Sequence, residues 1–227
     1  MKKIEYLVLV FAFIFTDFVY GASQSPQYQV YLNSGYFNGF SILLGFGINN
    51  ISPALPIGVE ADLGYTHQSD PGRAVEARKV FINDGTAGNN NVKESATMYS
   101  INVDFKYPLY KRSNIIVDLY VGPRYADYSA QFEYSGGNEQ FAPTSKNWGL
   151  GTGLKTSFEI TRKMDIGFNT GIDYFFPSTI SGHGQFYYNP SGVDDNPRNN
   201  YTYADADNVI DQPAITPKFL FFIGYKL

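Results

Sequence analysis

Acids and bases recur two residues apart along this chain. Glu60 and Asp62 form one such pair, Asp104 and Lys106 another, and Asp118, Arg124, Lys155, Glu159, Asp173, Lys218 and Lys226 stand in segments of the same rhythm. Acids and bases at such spacing can do proton transfer at an exposed site, or can neutralise one another in a confined one. Two histidines are the other candidates. His67 neighbours Thr66, Ser69 and Asp70, and His183 lies within Ser181-Gly-His-Gly184. A histidine with a hydroxyl and a carboxylate is the nucleophile and base arrangement of acyl transfer. There is no cysteine, so thiol nucleophiles, disulfides and cysteine-bound zinc are excluded.

The charged residues alternate with apolar ones. From Ile57 to Thr66 the odd positions carry Ile57, Val59, Ala61, Leu63 and Tyr65, and the even ones Gly58, Glu60, Asp62, Gly64 and Thr66. A period of two places these sets on opposite faces of a β-strand. The pattern repeats with Phe40, Ile42, Leu44, Phe46 and Ile48, and again with Tyr99, Ile101, Val103, Phe105 and Tyr107. Further rows are Ile115 to Tyr125, Trp148 to Ile160, Ile166 to Phe176 and Phe219 to Leu227, with a first strand at Gln27 to Asn33. Eight strands result.

Composition decides which face is inside. Of 227 residues 44% are hydrophobic, 17% aromatic and only 17% charged, with 19 Tyr, 19 Phe, one Trp and 22 Gly. An average soluble domain is about 25% charged. Glycine on the polar face contributes nothing to a solvent-exposed strand, but it makes room inside a narrow eight-stranded barrel. The apolar face is aromatic near strand ends, at Tyr65, Tyr99, Tyr107, Tyr125, Trp148, Tyr174 and Tyr225, as membrane interfaces favour. The expected fold is therefore an all-β, eight-stranded antiparallel transmembrane β-barrel, an up-and-down meander with lipid outside and a polar lumen. Its inward charges number six acids (Glu60, Asp62, Asp104, Asp118, Glu159 and Asp173) against five bases (Lys106, Arg124, Lys155, Lys218 and Lys226). These predict an interior ion-pair network, with Tyr120 filling space, in a plugged lumen, since open channels need about 16 strands.

Connection lengths alternate too. Short ones are expected at Asn49 to Pro56, Pro108 to Ser113 and Thr161 to Met164; long ones at Gln68 to Ser95, Tyr128 to Asn147 and Pro177 to Thr216; Ser34 to Gly39 is a short loop on the long-loop side. Short turns facing the periplasm and long outer loops place both termini in the periplasm. Ahead of the barrel, Lys2 and Lys3, an apolar run from Tyr6 to Phe15, and Gly21-Ala-Ser23 have the layout of a signal peptide over residues 1–22, cleaved after about 21–23. The barrel domain is then 23–227.

The phrases Ile57-Gly-Val-Glu-Ala-Asp-Leu-Gly-Tyr65, Leu119-Tyr-Val-Gly-Pro-Arg-Tyr125, Trp148-Gly-Leu-Gly-Thr-Gly-Leu154 and Phe219-Leu-Phe-Phe-Ile-Gly-Tyr225 resemble the small outer-membrane β-barrels of Gram-negative bacteria. That group comprises the OmpA-like, OmpX-like, opacity-protein or "porin family" barrels. The resemblance implies that Phe219, Phe221, Ile223, Tyr225 and Leu227 form the signal read by the barrel-assembly machinery, although the family usually ends in an aromatic residue. It also implies export to the bacterial outer membrane and contact with its lipid and lipopolysaccharide. No segment remains for the periplasmic domain that full-length OmpA proteins append.

The function expected from these readings is a structural or surface-interaction role, adhesion-like or antigen-like, with a host or surface ligand met through the long outer loops. The last loop carries Phe186, Tyr187, Tyr188, Tyr201 and Tyr203 among Asp194, Asp195, Asp205, Asp207 and Asp211, a composition suited to adaptable contact. Arg73, Arg78, Lys79 and Lys93 suit lipopolysaccharide phosphates. Alternatives are a channel for small solutes or hydrophobic molecules and a lipid A-modifying enzyme built on a rim histidine. No catalytic set, metal site or cofactor is expected: the loop acids lack the glycine and distal glutamate of an EF-hand. A net charge of −4 offers no basic footprint for nucleic acid.

Overall fold

The computed structural model describes residues 25–51, 56–81, 92–134, 140–181 and 208–227; the segment read as a signal peptide and most of the last loop, with His183, lie outside them. The strands are β1 (Gln27–Phe37), β2 (Phe40–Asn49), β3 (Gly58–Gln68), β4 (Val92–Arg112), β5 (Ile115–Tyr134), β6 (Gln140–Phe141), β7 (Thr144–Glu159), β8 (Met164–Phe175) and β9 (Ile215–Lys226), with one helix, α1 (Ala74–Phe81), between β3 and β4. All pairings are antiparallel, and each of the eight long strands pairs with its sequence neighbours. β1 joins β9 and β4 joins β5, so the sheet closes. β6 is a two-residue strand added to β5.

Alternation sorts the two faces as the period of two requires. Leu44, Leu63, Ile172 and Phe219 all point outward and are 55–64% exposed. So large an exposed apolar belt is unstable in water and fits a bilayer. Tyr28 and Tyr36 stand eight residues apart on the outward row of β1. At about 3.3 Å per residue and a tilt near 40° they are about 20 Å apart in height, close to the apolar band of outer-membrane barrels. Aromatic pairs mark the belt's loop-end edge, with Tyr65 and Tyr99 at 5.6 Å and Tyr125 and Trp148 at 5.0 Å between ring centroids.

Several boundaries differ from the expected ones. β1 runs to Phe37, so the loop expected at Ser34 to Gly39 shrinks to the turn Asn38-Gly39, where φ is 59° and 143°. Pro108 to Ser113 is not a connection: β4 continues to Arg112, passing an irregularity between Pro108 and Tyr110, and turns at Ser113-Asn114. At the other end β4 begins at Val92 and β5 continues to Tyr134, inside the segments read as loops. Lys93, Glu94, Ser95, Ser129, Gln131 and Glu133 interrupt the apolar row that marks the strands, whereas the ladder from Val92↔Tyr134 to Tyr99↔Asp127 supplies the backbone partners that a strand needs.

Beyond the belt the polarity of the faces reverses. In β4 and β5 above Tyr99 the outward positions are Lys93, Ser95, Thr97, Ser129 and Gln131, and the inward ones are Ala96, Met98, Ala126, Tyr128, Ala130 and Phe132. This is the arrangement of a water-soluble sheet.

Candidate functional site

Two layers fill the barrel. The layer toward the turn end, where the two described chain ends meet and the Leu227 amide donates to the Tyr28 carbonyl, is ionic. Glu60 on β3 binds Lys106 on β4 at 2.8 Å and Lys155 on β7, across the lumen, at 2.7 Å. Lys106 also donates to the Tyr31 hydroxyl at 3.2 Å, which donates to Gln29 Oε1 at 2.6 Å. The Lys155 ammonium lies 3.3 Å from the Tyr31 ring centroid and 4.5 Å from that of Phe222, where ring quadrupoles replace lost hydration.

A second cluster centres on Arg124 on β5. Its guanidinium donates to Asp104 Oδ1 at 2.7 Å, and its Nε lies 3.0 Å from Asp173 Oδ2, out of line for a hydrogen bond. Lys218 approaches Asp173 at 3.5 Å. Nearer the turn end Lys226 binds Glu159 and stands 3.9 Å from Asp165. The residues expected in the lumen lie on the inward rows of their strands, with Asp118 and Glu159 half-buried and the others buried. Asp165, Gln29 and Tyr31 join the network and were not foreseen. Asp165 follows a turn, so no alternating partner precedes it, and Gln29 and Tyr31 were passed over because only the apolar row of β1 was read.

Glycines shape this interior. A Cβ on Gly151 would lie 2.0 Å from Asp173 Oδ1 and 2.4 Å from Arg124 Nε; one on Gly171 would lie 2.2 Å from the Tyr120 hydroxyl. Gly151→Ala is therefore expected to push the Arg124–Asp173 pair apart and to cost about 1–3 kcal/mol, read as a lower urea midpoint for unfolding from lipid vesicles. An unchanged midpoint would mean that the pair has slack. Some inward polar atoms, on Asn33, Asp62, Ser100 and Asn102, have no protein partner among the described residues; groups of this kind are satisfied by buried water.

The layer toward the loop end is apolar. Phe37, Leu43, Met98, Tyr128, Phe132, Phe175 and Leu220 from the strands pack with Ala77 of α1 and with Ile180, Val209 and Ile210 of the β8–β9 connection. That connection was expected to be a long outer loop. Its described ends pack over the loop end of the barrel, because their apolar residues find a dry surface there. Backbone bonds pin the closure: the Arg73 amide donates to the Val209 carbonyl at 2.9 Å, the Asp211 amide to the Pro71 carbonyl at 2.8 Å, and Gly72 bridges Ile210. The Tyr134 hydroxyl donates to the Ala74 carbonyl at 2.6 Å.

Two acids of the cap are shifted by their surroundings. Partial burial, and next the Asp70 carboxylate, push the Asp211 carboxyl above its ordinary value, with Arg73 only partly opposing; burial and Asp70 do the same to Glu94. A carboxyl whose pKa is higher in the closed cap favours closure when protonated, so closure is strongest below the ordinary carboxylate range and weakens as pH rises through the raised value. The amides of Arg73 and Asp211 are expected to be better protected from hydrogen exchange at about pH 3 than at about pH 7.5, after correction for intrinsic rates. Equal protection at both would remove the acids from the closure.

His67 lies on the outward row of β3 beside Tyr65, and Ser69 is exposed just past the strand's end. Thr66 and Ser41 face inward and share a hydrogen bond of 2.7 Å, on the opposite side of the sheet. Among the described residues no group of His, Cys, Asp and Glu is arranged to hold a metal ion.

Residues 18–200 match the family model described as "Outer membrane protein beta-barrel domain". No curated protein sequence matches the chain. Among solved structures, a major outer membrane protein from Thermus thermophilus is similar in fold, with a TM-score of 0.66 and 19% identity over 90% of this chain and 100% of that one. Neisserial surface protein A shows 13% identity over 89% of this chain and 96% of that one at a TM-score of 0.42, and Ail, the attachment invasion locus protein of Yersinia pestis, 12% over 89% and 95% at 0.43. The last two superpose too loosely to carry an argument.

Proposed function

Because the chain belongs to the outer membrane β-barrel family, and so to the bacterial outer membrane, we propose that it is a closed barrel whose work is contact at the cell surface through its loop end. The observation that carries this reading is the double closure. An ionic layer in which Lys155 reaches across the lumen to Glu60 lies under an apolar cap containing Ile180, Val209 and Ile210. A conduit gains nothing from two stacked seals, whereas a platform for loops gains rigidity. The reading places the turn end and both termini in the periplasm, presents the Tyr- and Asp-rich segment 182–207 outward, and assigns no catalysis.

Two measurements test it together. In planar bilayers the protein should be nearly silent, and steady unit conductance would favour the channel reading. Cells displaying the protein should bind coated host matrix above background, and replacing residues 182–207 with a short Gly-Ser linker should abolish that binding. Binding unaffected by the replacement would move the contact elsewhere.

The exposure of His67 and Ser69 together at the belt's loop-end edge favours one second reading, ester hydrolysis on outer-leaflet lipid. Mass spectrometry of lipid A from expressing cells decides it. The first reading expects unchanged masses; loss of an acyl chain that disappears in Ser69→Ala would establish the second.

A further inference from the structure

Exposed cations collect on two turns at the end opposite the cap. Lys111 and Arg112 close β4, and Arg162 and Lys163 occupy the β7–β8 turn; all four are exposed. The turns are neighbours, since Arg112 pairs with Ile115, Ile115 with Phe158, and the Glu159 amide donates to the Asn114 carbonyl at 2.8 Å. None of the four cations lies within ion-pair distance of a carboxylate among the described residues. The acids nearby are engaged within the barrel: Glu159 by Lys226, Asp165 by Gln29, whose amide donates to it at 2.5 Å, and Asp118, which faces Lys106 and Lys155 before the more weakly acting Lys111. Exposed apolar side chains border the cations, namely Leu109, Tyr110, Ile160, Met164, Tyr225 and Leu227. Lys163 lies with its ammonium 5.7 Å from the Tyr225 ring centroid, as cations do when they reach from an apolar belt toward headgroups. At the loop end, by contrast, exposed charges are mixed, with Asp70 and Asp211 beside Arg73 and Lys93.

We propose that Lys111, Arg112, Arg162 and Lys163 form a binding surface for anionic phospholipid headgroups in the leaflet that surrounds the turn end. Four exposed cations held on two linked turns, at the margin of the lipid-facing belt, meet phosphates at the depth where headgroups lie, and juxtamembrane cations attract anionic lipid within a Debye length. The surface orients and anchors one rim of the barrel, and it acts independently of whatever the loop end contacts.

The chain's single tryptophan, Trp148, sits at the loop-end edge of the belt and serves as the control. A Tyr110→Trp probe in a Trp148→Phe background reports on the turn end. Both proteins are refolded into phosphatidylcholine vesicles containing brominated phosphatidylglycerol or brominated phosphatidylcholine, and quenching gives the relative affinity of the two lipids. The expected result is an about two- to fourfold preference for phosphatidylglycerol at the turn-end probe and none at Trp148. The preference should fall to one in Lys111→Gln/Arg112→Gln/Arg162→Gln/Lys163→Gln and in about 0.5 M salt. If the quadruple variant does not fold, the two double variants, one per turn, each should lose part of the preference. A preference near one at the turn end, or one left undiminished by neutralising either turn, overturns the proposal. So does retention on purified peptidoglycan through these cations with no lipid preference.

Discussion

Arg124→Met is expected to destabilise the barrel by about 3–5 kcal/mol, the range for removing one partner of a buried ionic cluster. Arg124 is fully buried and holds Asp104 at 2.7 Å and Asp173 at 3.0 Å. Methionine occupies similar length but leaves two carboxylates in the lumen with only Lys218, 3.5 Å from Asp173, to oppose them. The cost comes from the stranded charges rather than from a lost attraction, so removing them should reverse it. Asp104→Asn and Asp173→Asn added to Arg124→Met should recover at least half of the loss, a non-additivity that a cycle of equilibrium unfolding measurements in lipid vesicles detects. A loss under about 1 kcal/mol in the single variant would show that water reaches Arg124 and that the lumen is not sealed at this level.

The second large effect lies on the opposite face of the sheet. Leu44 is in the middle of β2, points outward and is 62% exposed. Leu44→Lys is expected to cost about 2–4 kcal/mol, the penalty for a cation at the bilayer midplane of an outer-membrane barrel. Ser95 also points outward, but from β4 above Tyr99, beside Gln131 on β5; Ser95→Lys is expected to cost at most about 1 kcal/mol. Folding equilibria of the two variants in vesicles locate the bilayer edge between them. Equal costs would mean that lipid climbs past the aromatic edge and that the reversal of faces in β4 and β5 has another cause.

The two substitutions separate what was legible from what was not. That Leu44 meets lipid follows from the row Phe40, Ile42, Leu44, Phe46 alone, because a period of two leaves a strand only two faces and the low charge of the chain leaves only one of them for water. The strand count, the closed meander and the inward placement of Glu60, Asp104, Arg124, Lys155 and Asp173 have the same origin. Strand ends were less legible. Val92 to Ser95 and Tyr128 to Tyr134 fall within the segments read as loops, and only the ladder between β4 and β5 makes them strand.

Local pattern could not choose the partners within the lumen. Alternation says that Arg124 points inward, not that it reaches Asp104 on one neighbouring strand and Asp173 two strands away on β8. Lys155 meets Glu60 only because closure brings β7 opposite β3. These contacts depend on strand register and on the stagger that closure imposes, properties of the whole sheet that no single strand encodes. The cap is the same kind of outcome. Ile180, Val209 and Ile210 are isolated apolar residues in polar stretches, with no period to announce a buried face; they become a core because the open mouth of the barrel presents Phe37, Tyr128 and Phe175 to them. The sequence by itself determined which side of every strand meets lipid, since that is local chemistry repeated at a fixed spacing. Only the tertiary structure decided which side chains meet in the interior, since those contacts require residues brought together from opposite walls.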